Sequence, residues 1–109
     1  MDSGLEQRVR AEAIVREVNE RIRDVREALA AGEEIELDLL CECGDPSCTA
    51  LLTVTLAEYE AARTDPRRLL VTPDHAQDEG ESVVAANGRF AIVQASGEAA
   101  DLLRALALD

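Results

Sequence analysis

The stretch that decides the fold is I-E-L-D-L-L-C-E-C-G-D-P-S-C-T-A-L-L-T-V-T, residues 35–55. Apolar residues alternate with acidic ones over residues 35–39, and a second alternating run spans residues 50–55, so both predict half-buried strands. The loop between the strands contains Gly44 followed by the turn-forming pair Asp-Pro. The stretch therefore predicts an antiparallel hairpin whose loop, residues 41–48, carries three cysteines.

Helical patterns surround this hairpin. Residues 5–31 are rich in Ala, Glu and Arg and predict one long helix that stops at Gly32. A T-x-x-E capping box that begins at Thr55 predicts a short helix over residues 56–63. Four leucines in the last eleven residues predict a C-terminal helix over residues 98–108.

The remaining strands are predicted between the two later helices. Residues 69–71 indicate a short third strand, and the runs 82–86 and 89–94 flank Asn87-Gly88, which predicts a hairpin with a type I′ turn. The fold class is therefore α+β, with a long N-terminal helix, a small antiparallel sheet of four or five strands, a short middle helix and a C-terminal helix.

The composition predicts one domain with a weak core. The chain has 109 residues, of which 47% are hydrophobic, yet it contains one Phe, one Tyr and no Trp. Aromatic side chains supply much of the buried area in most protein cores, so an additional stabilising cross-link is expected here. We divide the single domain, 1–109, into an N-terminal helix (1–31), a sheet region (32–95) and a C-terminal helix (96–109).

The charge excludes one class of function. A net charge of −12 argues against nucleic-acid binding, because phosphates repel an acidic surface. Residues 1–31 hold six arginines and seven acidic residues, so nearly all of the negative charge lies in residues 32–109. No apolar run approaches the roughly 18 residues of a membrane span, and the N-terminus lacks the apolar core of a signal peptide. These features predict a cytoplasmic protein that does not bind membranes.

The long helix has a narrow apolar seam whose members are three and four residues apart. Such a seam is typical of a coiled-coil homodimer, and it equally suits a helix that packs on its own domain. Both interpretations stay open from the sequence. The seam residues are Ala11, Val15, Val18, Ile22, Val25 and Leu29.

The cysteines indicate a metal site. Cys41, Cys43 and Cys48 lie within eight residues, and an odd number of thiols in a cytoplasmic chain argues against a disulfide framework. His75 is the only histidine, and three thiolates with one imidazole form a closed tetrahedral set for Zn²⁺. The metal would join the thiol hairpin to the later half of the domain and so supply the additional stabilising cross-link.

Other roles for these residues stay open. Cysteines are often small buried hydrophobes, and His75 could lie in solvent, with Asp45, Asp74 or water as the fourth ligand. A Cys–His nucleophile pair is a further alternative, although three thiols in one loop favour a metal. The sequence lacks the common hydrolase, zinc-protease and nucleotide-binding motifs.

The chain resembles small uncharacterised bacterial proteins with the pattern C-E-C-G/A-x3-C…E-Y-E…P-x-H. The matching residues are Cys41-Glu42-Cys43-Gly44, Cys48, Glu58-Tyr59-Glu60, Arg63, Pro73 and His75, with V-R-E-V-N-E-R at 15–21. Asp74 stands where these proteins have Gly, and Leu69 or Leu70 where they have an aromatic residue. The resemblance covers about residues 8–95 and implies a Cys3His zinc site at Cys41, Cys43, Cys48 and His75. It implies no activity.

These observations predict a small non-catalytic protein with a structural zinc site. We expect an accessory or regulatory module that binds an unidentified protein partner, with the N-terminal helix as a possible homodimer surface. One alternative is a redox-responsive zinc–thiolate switch, in which oxidation of Cys43 and Cys48 releases the metal. The other is a metal-dependent hydrolase, which requires a zinc-bound water and a neighbouring carboxylate.

Overall fold

The computed structural model describes residues 3–30, 34–75 and 81–107 and confirms the α+β class. The predicted stop at Gly32 lies outside the described residues. The elements in chain order are α1 (Ser3–Ala30), β1 (Glu36–Leu40), β2 (Leu51–Thr55), α2 (Leu56–Ala62), β3 (Arg68–Val71), a short 3-10 helix (Pro73–His75), β4 (Glu81–Ala86), β5 (Ala91–Ala95) and α3 (Gly97–Ala107).

The five strands form two antiparallel sheets rather than one. In the first, β1 pairs with β2, so that Leu37 lies opposite Val54 and both are buried. In the second, the strand order is β3-β5-β4. The chain just beyond β1 connects the sheets, because the N–H of Glu42 donates to the carbonyl of Leu70 at 2.9 Å.

The capping box of α2 is present as predicted. Thr55 Oγ1 accepts a hydrogen bond from the Glu58 N–H at 3.1 Å, and Glu58 Oε1 accepts one from the Thr55 N–H at 2.8 Å. This reciprocal pair satisfies two backbone donors at the point where β2 becomes a helix. The chain therefore turns sharply after the hairpin and carries Tyr59 into the core.

The hairpin between β4 and β5 exists, but its predicted type I′ turn is wrong. That turn requires positive φ at both central residues, and Gly88 does not have it. The loop instead spans residues 87–90, with Ala86 paired to Ala91. Asn87 Oδ1 accepts from the N–H groups of Arg89 and Phe90, so its side chain replaces the tight backbone turn.

The predicted apolar seam of α1 is not the face that packs on the domain. Three seam residues are exposed, with Val18 at 41%, Val25 at 62% and Leu29 at 74%. The helix does pack on its own domain, against α3 and β1, through a face that is mostly polar. A surface helix usually buries its apolar side, but here polar side chains of α1 are buried because they form hydrogen bonds with backbone groups of other elements. The buried residues of α1 are Val9, Glu12, Arg16, Asn19 and Ala30.

The core is built almost entirely from aliphatic side chains of the two sheets. Leu37, Leu39, Leu69 and Leu70 are at most 1% exposed, and Leu103 of α3 closes the layer from the other side. Both aromatic residues are also buried. None of the helices in the described part of the chain combines the length and the apolar character needed to cross a bilayer.

Tyr59 offers a test of this packing, since it is the only tyrosine. Its hydroxyl donates to Glu20, and burial together with that carboxylate raises the pKa of Tyr59 to about 12. In the unfolded chain the pKa is about 10. The neutral phenol therefore stabilises the fold fully below about pH 10, and this contribution is lost as the pH rises through about 12.

We expect absorbance at 295 nm to show tyrosinate forming near pH 12 in native protein and near pH 10 in guanidinium chloride. Circular dichroism at each pH identifies the range in which the protein is folded. A midpoint near pH 10 in folded protein would contradict the buried position of the Tyr59 hydroxyl.

Candidate metal centre

The loop that carries the cysteines is a tight turn held at both ends. At its base the Cys41 N–H donates to the carbonyl of Ala50 at 3.1 Å, and within it the Cys48 N–H donates to the carbonyl of Asp45 at 3.0 Å. The Asp45 carboxylate accepts from the N–H and the hydroxyl of Ser47, at 2.9 and 2.7 Å. These bonds curl the backbone, so that Cys48 returns towards Cys41.

Gly44 lets helix α1 approach this turn closely. Its φ is +80°, a conformation that side chains disfavour, and a Cβ there would lie 2.8 Å from Glu12 Cγ and 2.9 Å from Arg8 Cγ. Glycine at this position is therefore required both by the turn and by the helix above it.

His75 reaches the thiols from a different part of the chain. It ends the short 3-10 helix after β3, where its N–H donates to the carbonyl of Thr72 at 2.9 Å. Its Nδ1 atom lies 3.4 Å from Cys41 Sγ and 3.6 Å from Cys48 Sγ. Together with Cys43, the four potential ligand atoms all lie within 4.8 Å of one another.

These separations fit a tetrahedral ion. Zinc–sulfur bonds of about 2.3 Å and zinc–nitrogen bonds of about 2.0–2.1 Å give a tetrahedral S···N edge of about 3.6 Å. Both measured S···N distances are within 0.2 Å of that edge. All three cysteines are free thiols. The described residues thus form a Cys3His group that could hold a metal ion.

Burial favours the protonated form of the thiols when no cation is bound. It raises the pKa of Cys43 to about 12 and also raises that of Cys41, although the N–H of Thr72 donates to Cys41 Sγ at 3.3 Å and opposes the shift. A divalent cation displaces these protons and provides the charge that buried thiolates need. The group therefore suits a bound cation better than free nucleophilic thiols.

The alternative oxygen ligands lie outside this group. The carboxylate of Asp45 is occupied by Ser47, so it caps the turn. Asp74 is exposed, and His75 rather than Asp74 supplies the ligand atom from the 3-10 helix in the described cluster. Cys41 and Cys43 are buried, whereas Cys48 and His75 are half-buried, so one side of the group faces solvent.

Glu42 lies between two of the cysteines and is buried at the junction of several elements, a role that its sequence context does not indicate. Side chains alternate along an extended chain, so Glu42 points away from the thiols of Cys41 and Cys43. Its side chain is fully buried, where Oε1 accepts from the Leu70 N–H at 2.9 Å and Oε2 accepts from Asn19 Nδ2 at 2.7 Å. Oε2 also pairs with the guanidinium of Arg63.

Asn19 joins helix α1 to the same point. Its amide donates to the carbonyl of Leu40 and accepts from the Leu40 N–H, both at 2.9 Å, as a neighbouring strand would. One turn earlier, Arg16 donates to the carbonyls of Pro66 at 2.7 Å and Leu103 at 3.2 Å. In the sequence, Arg16 and Asn19 appear only as polar residues at helical spacing. That pattern usually indicates a solvent-exposed face of a helix, so their buried hydrogen bonds could not be predicted.

The buried carboxylate leads to a stability prediction. Glu42→Ala leaves the Arg63 guanidinium without its counterion and removes three hydrogen-bond acceptor contacts. We expect the free energy of unfolding to fall by about 3–5 kcal/mol, because breaking a buried pair leaves an uncompensated charge. Urea denaturation measures this loss.

Glu36→Ala is the matched control, since Glu36 is exposed on β1. It should change the stability by less than about 0.5 kcal/mol. Equal stabilities for the two variants would show that the Glu42 network does not support the fold.

Comparisons with known proteins add no further assignment. No family model matches the chain, and neither a curated protein nor a solved structure matches it. The resemblance to proteins with the C-E-C-G/A pattern stays an expectation from the sequence. The geometry of the chain itself shows a Cys3His group that could hold a metal ion.

Proposed function

We propose that this chain is a small non-catalytic protein in which Cys41, Cys43, Cys48 and His75 hold a structural Zn²⁺ ion. The observation that carries the proposal is the convergence of four ligand atoms within 4.8 Å, with His75 Nδ1 at tetrahedral distances from two sulfurs. Three thiolates and one imidazole are a typical structural zinc set.

The position of the group explains what the ion would stabilise. Cys41, Cys43 and Cys48 come from the turn after β1, whereas His75 follows β3 of the other sheet. A bound ion therefore joins the two sheets at their common end, in a domain whose core has two aromatic side chains. Metal binding adds folding free energy when the unfolded chain lacks the preformed site.

Four protein ligands also argue against catalysis by the metal. A catalytic zinc keeps a position for water or substrate, whereas a Cys3His set fills the tetrahedron. A cavity of about 680 Å³ lies elsewhere in the described part of the chain, at α1 and α3, where Arg10, Arg16 and Leu106 line it. We therefore propose that the protein acts by binding another protein chain, as an accessory or regulatory module.

Metal analysis of untagged protein tests the zinc site. We expect about one equivalent of zinc after dialysis, and removal by a strong chelator should lower the melting temperature. Cys48→Ser and His75→Ala should each retain less than about 0.2 equivalents after challenge with a weak chelator, because each loses one of four ligands.

Asp74→Ala is the control, since it alters the exposed neighbour of His75 and should leave the zinc content unchanged. Less than about 0.2 equivalents in the original protein, with folding indifferent to chelator, would refute a structural zinc. Full zinc retention by His75→Ala alone would refute the closed Cys3His set.

One observation favours a second candidate, a redox-responsive zinc–thiolate switch. The sulfur atoms of Cys43 and Cys48 lie within 4.8 Å of each other, and Cys48 is only half-buried. Hydrogen peroxide would oxidise these two thiolates to a disulfide, and the peroxide, with two protons from the solvent, would be reduced to two waters. The ion would then leave because two of its ligands are lost.

This candidate predicts that mild peroxide releases about one equivalent of zinc and that a thiol reductant with added zinc restores it. A chromogenic zinc indicator follows the release. Cys48→Ala removes the more exposed thiol and is expected to abolish peroxide-dependent disulfide formation between these two residues. Retention of zinc by the oxidant-treated protein would eliminate the switch and leave the structural site intact.

A further inference from the structure

Helix α1 turns its apolar side away from the domain. Four of the seven large exposed hydrophobic residues in the described part of the chain lie on this helix. We call them the apolar stripe, and they are Ile14 (63% exposed), Val18 (41%), Val25 (62%) and Leu29 (74%). The buried face carries Glu12, Arg16 and Asn19 instead, so the usual arrangement of an amphipathic helix is inverted.

The two faces are well separated around the helix axis. At about 100° per residue, the stripe occupies a sector about 60° wide, centred roughly 150° from the centre of the buried face. Half-buried Ala11 and Ile22 border the stripe and extend it to a length of about 27 Å. The domain lies mainly behind the helix, so Val18, Val25 and Leu29 are exposed to solvent. Ile22 packs against the core at one border of the stripe, and Ile14 also lines a cavity beside Leu106 at the other.

Its spacing suits another helix. Val18, Ile22, Val25 and Leu29 are separated by four, three and four positions, which is the repeat of a seam that meets a partner helix side by side. The charge distribution permits a second copy of the chain as the occupant of this face. Residues 32–109 hold sixteen acidic residues and five arginines and repel another copy, whereas the first 31 residues are nearly neutral.

The flanking charges select an antiparallel pair. When two copies of α1 cross near residue 20, Ile14 lies opposite Val25 of the second copy and Val18 lies opposite Ile22. Glu17 of each copy then lies beside Arg21 of the other, and the two-fold axis forms this pair twice. A parallel pair would place Arg21 beside Arg26 of the second copy, which is repulsive.

We propose that the protein forms an antiparallel homodimer through the apolar stripe of α1. The stripe residues are exposed, and none of them contributes a ligand atom to the Cys3His group. The dimer therefore does not depend on the zinc site, and either proposal can fail without the other.

Sedimentation velocity of the full chain over about 1–300 µM tests the dimer. The original protein should sediment as a dimer at the upper concentrations. The double variant Val25→Glu/Leu29→Glu should raise the dissociation constant by more than about 100-fold, because it removes apolar burial four times in each dimer.

The matched control is Leu51→Glu/Val83→Glu, which adds the same charges at exposed apolar positions outside the stripe. It should remain a dimer with a dissociation constant within about threefold of the original. Circular dichroism and the thermal melting temperature of both variants establish that each is folded. A protein that stays monomeric at the highest concentration, or a control that dissociates as readily as the stripe variant, overturns the proposal.

A charge exchange tests the orientation. In the antiparallel dimer, Arg21→Glu brings like charges together and should weaken association about tenfold, and Glu17→Arg/Arg21→Glu should restore it to within about threefold. A parallel dimer would give the opposite result for the single variant, because the new carboxylate at position 21 would then lie beside Arg26 of the second copy. Tighter association of Arg21→Glu therefore overturns the antiparallel arrangement.

Discussion

The buried carboxylate of Glu42 holds the domain together at the point where its elements meet. It accepts hydrogen bonds from the backbone of β3 and from Asn19 of α1, and it neutralises Arg63 at the end of α2. A buried carboxylate is costly unless it is fully paired, and here each of its contacts comes from a different element. The positions of α1, α2 and the second sheet are therefore coupled through a single side chain.

The C-E-C segment therefore presents two thiols on one side and a buried carboxylate on the other. The thiols of Cys41 and Cys43 face the His75 imidazole, whereas the carboxylate between them faces the interior. Because the backbone between them is short and paired to Leu70, neither side can move without the other. The geometry of the Cys3His group thus depends on a network that contains none of its four residues.

Local patterns predicted the strands, the capping box of α2 and the clustering of the three cysteines with His75, because each depends on neighbouring residues or on distinctive chemistry. The orientation of α1 could not be predicted in the same way. Asn19 and Arg16 bond to Leu40 and Leu103, and nothing near them in sequence shows that these carbonyls exist. The type I′ turn at Asn87-Gly88 was mispredicted because the loop is stabilised by a side chain instead. Asn87 Oδ1 accepts hydrogen bonds from the N–H groups of Arg89 and Phe90, and the sequence pair Asn-Gly does not reveal this.

The pairing of Arg16 with Leu103, 87 residues apart, has a consequence for the order of synthesis. The ribosome completes α1 first, yet the buried polar face of that helix finds its last acceptor only when α3 emerges. Until then α1 is a helix supported by its own pairs, such as Arg10 with Glu6 and Arg23 with Glu27. Its outward aliphatic row is therefore exposed on the nascent chain before the sheets and α3 have been synthesised.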